Sequence, residues 1–166
     1  MQLALGLGSN LGPSEEILQR AVADLATFLE AVRVAPLYRT AAEGPVEQPD
    51  FLNTALVGKT KLSPDEVLAI CQQLEVASGR ERHERFGPRT LDIDLLVAGE
   101  LERSDPELTV PHPRLRARRF VLQPLSDIAP DLAIPPDGAT VTDLLASLPD
   151  GGIERIDWSR PPLGSV

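Results

Sequence analysis

Much is missing from this sequence, and each absence narrows what the chain can be. A single cysteine, Cys71, excludes an internal disulfide framework. No apolar run reaches the roughly 18 residues needed to span a bilayer. The opening MQLALGLGSN lacks the basic start and long apolar stretch of a secretory leader. Positive charge is scarce as well. A net charge of −9 argues against a general nucleic-acid binder, which carries a positive face. Aromatic residues are few: four phenylalanines, one tyrosine and one tryptophan. No lysine-bearing phosphate-loop motif follows the early glycines. A soluble cytoplasmic chain is expected, with residues 1–166 forming one domain long enough to bury a core.

The basic residues that are present are concentrated. Of 16, eight fall in two short windows, and all eight are arginine: Arg80, Arg82, Arg85 and Arg89, then Arg114, Arg116, Arg118 and Arg119. Arginine offers a rigid fork of donors that matches phosphate oxygens. An acidic chain with clustered arginines suggests a small polyanionic ligand, although two solvated basic loops would look the same.

Periodicity predicts a strand over 2–8 and a helix over 14–31, where Ile17, Leu18, Ala21, Val22, Leu25, Phe28 and Leu29 recur at helical spacing. A strand over 32–39 contains Pro36, which demands an edge or a bulge. A polar loop spans 41–50, and a third strand 51–60. Ser63, Pro64 and Glu66 form a helix-start signature, and Gly79 ends that helix. A strand follows at 91–98, helical structure at 114–128, a turn at 135–138, a short helix at 141–148, an edge strand at 153–158 and then a tail. The leading order β-α-β-β-α-β predicts an α/β (α+β) fold: a ferredoxin-like core with a mainly antiparallel sheet, helices packed on it and C-terminal additions. The glycines of GLGSNLG at 6–12 do not match dinucleotide-binding spacing, so a tight strand-to-helix turn is expected there, with Ser9 and Asn10 capping local amides.

The segment RFGPRTLDIDLL at 85–96 places Asp92 and Asp94 one residue apart in a strand. Alternation sends Leu91, Ile93 and Leu95 to one face and both aspartates to the other. Two carboxylates so close repel, and one would protonate without positive charge between them. Oxygen-only ligands suit magnesium, which takes one or two carboxylates and completes its shell with water and phosphates. The plainer alternative is a water-facing strand that the aspartates merely solubilise. The upstream arginines favour the first reading, because metal plus arginine fork is the equipment of phosphoryl transfer.

LGSNLG (7–12), YRT (38–40), QPDFLN (48–53), GPRTLDIDLL (87–96) and LTVPHPRLRARRFVLQPLSDIAP (108–130) together resemble one family, in order, over roughly residues 3–130. It is the 6-hydroxymethyl-7,8-dihydropterin pyrophosphokinase family of folate biosynthesis. The resemblance implies transfer of pyrophosphate from ATP to the pterin's hydroxymethyl oxygen, with release of AMP. It implies two magnesium ions on Asp92 and Asp94, and ATP as co-substrate. It assigns phosphate contacts to the catalytic arginines Arg82 and Arg89, with Arg80 beside them. It assigns further nucleotide contacts to Gln72, Glu75, Leu95, Thr109, His112 and Arg118. The pterin is implied to lie between Phe51 and Phe120, with edge contacts from Asn53, Thr40 and the backbone at Glu43. The physical reading agrees: Phe51 and Asn53 share a strand face, one offering a stacking surface and the other a polar edge. The chain departs from some members at Phe86 (often tryptophan), Glu107 (arginine in some) and Pro113 (tyrosine in some).

The resemblance implies small-molecule partners, with no nucleic acid and no membrane, and a monomer is expected. Two alternatives stay open at this stage. A ferredoxin-like sheet with exposed aromatics can bind single-stranded RNA, which would need a basic face. An inactive, nucleotide-binding regulatory domain would carry the same motifs.

Overall fold

The structure is a computed structural model and describes residues 1–79 and 87–158. Arg80, Arg82, Arg85 and Phe86 lie outside the described residues, as does the tail from 159. The chain runs β1 (Gln2–Ser9), α1 (Ser14–Ala26), β2 (Glu30–Val34), β3 (Leu37–Thr40), β4 (Phe51–Lys59), α2 (Pro64–Ala77) and β5 (Asp92–Ala98). A small hairpin of β6 (Arg103–Ser104) and β7 (Thr109–Val110) follows. Then come a 3-10 turn at Leu115–Ala117, α3 (Arg119–Ile128), a second hairpin of β8 (Ala133–Ile134) and β9 (Ala139–Thr140), α4 (Val141–Ala146) and β10 (Ile153–Ile156).

The main sheet has the order β10-β3-β4-β1-β5, with β2 also on β4, and its pairings are antiparallel. This is the ferredoxin-like order: β4 inserts between β1 and the β2/β3 strand pair. Side chains alternate across the sheet, so two cores form. On one face Leu3, Leu5, Leu7, Ile93 and Leu95 pack under α1 and α2, which contribute Leu18, Val22, Leu25, Val67 and Cys71. On the other, Ala4, Ala55, Val57 and Leu96 pack under α3, which contributes Leu122 and Leu125.

Three elements depart most from the periodicity reading. Helix α1 ends at Ala26 rather than 31. The amides of Thr27, Phe28 and Leu29 donate to carbonyls three residues back, tightening the chain into a turn, and Ala31 adopts a left-handed φ of 52°. Phe28 and Leu29 kept the apolar spacing because they plug the core from that turn, where Leu29 is 4% exposed. The strand expected over 32–39 is broken into β2 and β3 at Ala35–Pro36, where proline has no amide to give the ladder. The helix expected over 114–128 is interrupted at Arg118, whose backbone is extended (φ −114°, ψ 106°) between the 3-10 turn and α3. Helix α2 follows its signature. Ser63 and Glu66 exchange bonds of 3.2 and 2.8 Å in a complete capping box, and Gly79 closes it at φ +87°.

Candidate active site

The α3 side of the sheet is covered by α3 at one end only. At the other end it forms the floor of a cleft of about 310 Å³. The β1 register sets Gly6 opposite Asp94 and Gly8 opposite Asp92 on one side, and Gly8 opposite Asn53 on the other. Both aspartates and Asn53 therefore rise from the same face, separated by two residues without side chains. A Cβ at Gly8 would stand 2.9 Å from Asn53 Oδ1 and 3.5 Å from a Phe51 ring carbon, so only glycine keeps this floor open. The strand reading of Asp92 and Asp94 holds: Ile93 and Leu95 point into the helical core, and the carboxylates line the cleft.

Phe51, Asn53 and Thr40 form one wall. The Asn53 amide donates to Thr40 Oγ1 at 2.9 Å, a buried bond that fixes the amide plane at the cleft's edge. Phe120, in the first turn of α3, lines the same cleft as Phe51. The break at Arg118 turns its side chain onto Phe120, the guanidinium carbon 5.3 Å from the ring centroid, and its Nη2 donates to Glu43 Oε2 at 2.8 Å. Arg89 and Arg114 complete the lining from the basic side.

Nine residues expected at the site thus meet in one cavity: Thr40, Glu43, Phe51, Asn53, Arg89, Asp92, Asp94, Arg118 and Phe120. His112 stands just outside it, with Nε2 3.9 Å from Asp94 Oδ2. Burial, aided by the neighbouring Arg118 charge, pulls the His112 pKa below its ordinary value. The ring is therefore neutral at neutral pH. Its Nδ1 accepts from the Arg114 amide at 3.1 Å, which puts the proton on Nε2, toward Asp94.

Four further expected residues do not line the cleft. Leu95 is 5% exposed with its side chain in the helical core, and Thr109 lies in β7. Gln72 is exposed on α2. Glu75 is 5% exposed, and its carboxylate accepts from the Ile93 amide at 3.2 Å, binding the edge strand between the two aspartates. Glu107 is on the surface, 3.8 Å from Arg103.

Gly6 and Gly8 fall both in the strand expected over 2–8 and in the turn expected over 6–12. They lie in β1, and only Gly12, at φ +82°, turns the chain. Their two-residue spacing, facing D-x-D at the same spacing, was the available signal. Asn10, expected to cap local amides, reaches across the fold instead. Its side chain accepts from the Arg89 amide at 2.9 Å and donates to Gln48 Oε1 and the Pro49 carbonyl, both at 2.9 Å, while its own amide donates to the Arg89 carbonyl. It ties Arg89 to the 41–50 loop.

A family model described as 7,8-dihydro-6-hydroxymethylpterin-pyrophosphokinase (HPPK) matches residues 4–130. The chain belongs to this family. A Pseudomonas aeruginosa 2-amino-4-hydroxy-6-hydroxymethyldihydropteridine pyrophosphokinase is 44% identical over 154 residues, covering 92% of this chain and 94% of that protein. The folic acid synthesis protein fol1 of Schizosaccharomyces pombe is 36% identical over 152 residues, covering 90% of this chain and 21% of that longer protein. The Plasmodium falciparum HPPK-DHPS crystal structure shares the fold at a TM-score of 0.65 and 16% identity; the match covers 87% of this chain and 42% of that one. The chain is thus a pyrophosphokinase of folate biosynthesis, with ATP as the co-substrate that such a reaction requires. Among the described residues, no helix is long and apolar enough to cross a membrane.

The donor set suits the metal that the family implies. Among the described residues, no group of three or more His, Cys, Asp or Glu side chains could hold an ion by itself. Two adjacent carboxylates over a glycine floor supply only oxygen and leave room for water and phosphate, the pattern magnesium accepts.

Proposed function

We propose that this cleft transfers the β,γ-pyrophosphoryl group of ATP to the hydroxymethyl oxygen of 6-hydroxymethyl-7,8-dihydropterin. The observation that carries the reading is the shared cavity. A stacking ring and an amide edge face the same space as two adjacent carboxylates and three arginines. Phe51 and Phe120 take the flat heterocycle between them, and Asn53 and Thr40 read its polar edge. Arg89 and Arg118, with Arg82 from the segment outside the described residues, bind phosphate oxygens. Neutral His112 offers its Nε2 proton as a donor on the nucleotide side. Asp92 and Asp94 would hold magnesium, two ions in this reading, which when bound neutralises phosphate charge and acidifies the attacking alcohol.

The hydroxymethyl oxygen forms a bond to the β-phosphorus as the α–β bridging P–O bond breaks. AMP leaves with the bridging oxygen, and the alcohol proton passes to a carboxylate of the aspartate pair. The 41–50 loop excludes water from its side of the cleft, which keeps ATP from being hydrolysed. We read the working unit as a cytoplasmic monomer acting on small molecules, a reading supported by the meeting of ring, amide, carboxylate and arginine groups of one chain in this cleft.

Mixing the protein with ATP, magnesium and hydroxymethyl-dihydropterin should release AMP only when all three are present. Nucleotide binding without AMP formation would instead mark a regulatory domain, and tight binding of single-stranded RNA would mark the third possibility.

A further inference from the structure

Strand β10 and the residues around it line no part of the cleft, yet they hold both sides of its Phe51–Phe120 end. The segment 149–158 is fastened at three points. At its start the Pro149 carbonyl accepts from Arg119 Nη1 at 3.1 Å, and Asp150 lies 3.4 Å from the same guanidinium. Arg119 opens α3 and immediately precedes Phe120. Gly151 and Gly152, at left-handed φ of 99° and 79°, then turn the chain onto the sheet.

The second fastening is a ladder. Strand β10 pairs antiparallel with β3, Ile153 opposite Thr40 and Ile156 opposite Leu37. Thr40 in turn lies opposite Phe51, so Ile153, Thr40 and Phe51 form one cross-strand row on the cleft face. The third fastening is Trp158. Its side chain packs against the helical core, and Nε1 donates to the Ala35 carbonyl at 3.1 Å. That carbonyl also accepts from Thr54 Oγ1 at 3.0 Å, and Thr54 lines the cleft. Without β10, β3 would be a four-residue edge strand, the kind of segment that opens most readily.

We propose that segment 149–158 is a strap that sets the width and polar edge of the pterin slot. Arg119 clasps it at one end and Trp158 anchors it at the other, and both are positioning residues. One end holds the start of α3, which presents Phe120; the other holds β3, which presents Thr40 to Asn53. This rests on the reading that the pterin lies between Phe51 and Phe120. The strap acts by ordering in advance: a wall already in place need not be ordered at the moment of binding, so affinity is kept. The sheet order makes the effect one-sided. Strand β5, with Asp92 and Asp94, is four strands from β10, about 19 Å at ordinary strand spacing. The metal and phosphate end is therefore insulated from the strap.

The test is calorimetric titration of the full chain with 6-hydroxymethyl-7,8-dihydropterin, in magnesium and a saturating α,β-methylene analogue of ATP, and with that analogue alone. The wild type should bind both. Trp158→Ala and Arg119→Ala should each weaken pterin binding about 10-fold and leave analogue affinity within about threefold. Because both release one strap, the double variant should lose little more than either single one, well short of the roughly 100-fold that independent sites would give. Trp158→Phe, which keeps a packed ring, should recover most of the pterin affinity. Unchanged pterin affinity in Arg119→Ala, equal losses for pterin and analogue, or multiplied losses in the double variant would overturn the strap while the site reading stood. A wild-type chain that bound the analogue but no pterin would overturn the site reading, and the strap with it.

Discussion

On the α1/α2 side of the sheet, β1 presents Leu3, Leu5 and Leu7, each no more than 3% exposed; on the α3 side the same eight residues present Ala4, Gly6 and Gly8. Strand β5 repeats the contrast, with Ile93 and Leu95 on one face and Asp92 and Asp94 on the other. The first face is filled with large side chains and sealed by two helices. The second is packed only where α3 lies on it, and elsewhere the volume that leucines would occupy is left for ligands. Period-two alternation lets one strand serve both ends, so each face can be perturbed almost alone.

The largest effect should come from the open face. Asp94→Asn removes a charge from the pair without changing its shape. AMP formation should fall about 10³-fold, while the thermal midpoint stays level or rises as like-charge repulsion is relieved. Activity near wild type would sink the metal role assigned to the pair. On the sealed face the pattern should invert. Leu25→Ala, at a fully buried position of α1, should cost about 3 kcal/mol in denaturant unfolding yet leave the turnover of the folded fraction within about twofold. Equal losses in both assays would mean that the two faces are not separable.

Gly8→Ala comes next. Its added methyl would meet Asn53 Oδ1 at 2.9 Å, where the neighbouring amide is already held by Thr40. Moving Asn53 breaks that buried bond, so catalytic efficiency with the pterin should drop by about 10- to 100-fold, the range that one or two lost polar contacts represent. The loss should be expressed mainly in KM for the pterin. A loss confined to KM for ATP would put the heterocycle elsewhere.

How much of this arrangement was legible in the sequence depended on the range of the interaction involved. Alternation within one strand was enough to put Asp92 and Asp94 together, and Phe51 with Asn53, because both are local facts. The capping box at Ser63 and Glu66 was equally local. Gly6 and Gly8 were legible as members of the first strand, but their purpose is visible only once Asn53 and the aspartates flank them. Asn10 binds residues 38 to 79 positions away, and no local rule reaches that far. The end of α1 and the break at Arg118 failed for a related reason. Apolar spacing reports which residues are buried, not whether the backbone carrying them is still helical.

The smallest effect concerns what pins α3 over its end of the sheet. Tyr38, on β3, donates from its hydroxyl to Asp127 Oδ2 of α3 at 2.6 Å. Burial, and then the Asp127 carboxylate, push its phenol from 10.0 up to about 12. A group whose folded pKa is raised contributes stability fully present below the unfolded value of 10.0 and lost as pH climbs toward about 12. Tyr38 is the only tyrosine in the sequence, so ultraviolet absorbance of the phenolate reports it alone. The native protein should titrate with a midpoint near 12, and the urea-unfolded chain near 10. Tyr38→Phe should cost only about 1 kcal/mol, because Asp127 is exposed and water replaces the lost donor, and because Leu122 and Leu125 still hold α3. Phe120 sits in the first turn of that helix, so the variant should also raise KM for the pterin slightly while leaving KM for ATP alone. A native midpoint near 10 would place the hydroxyl in water and leave α3 pinned by its leucines only.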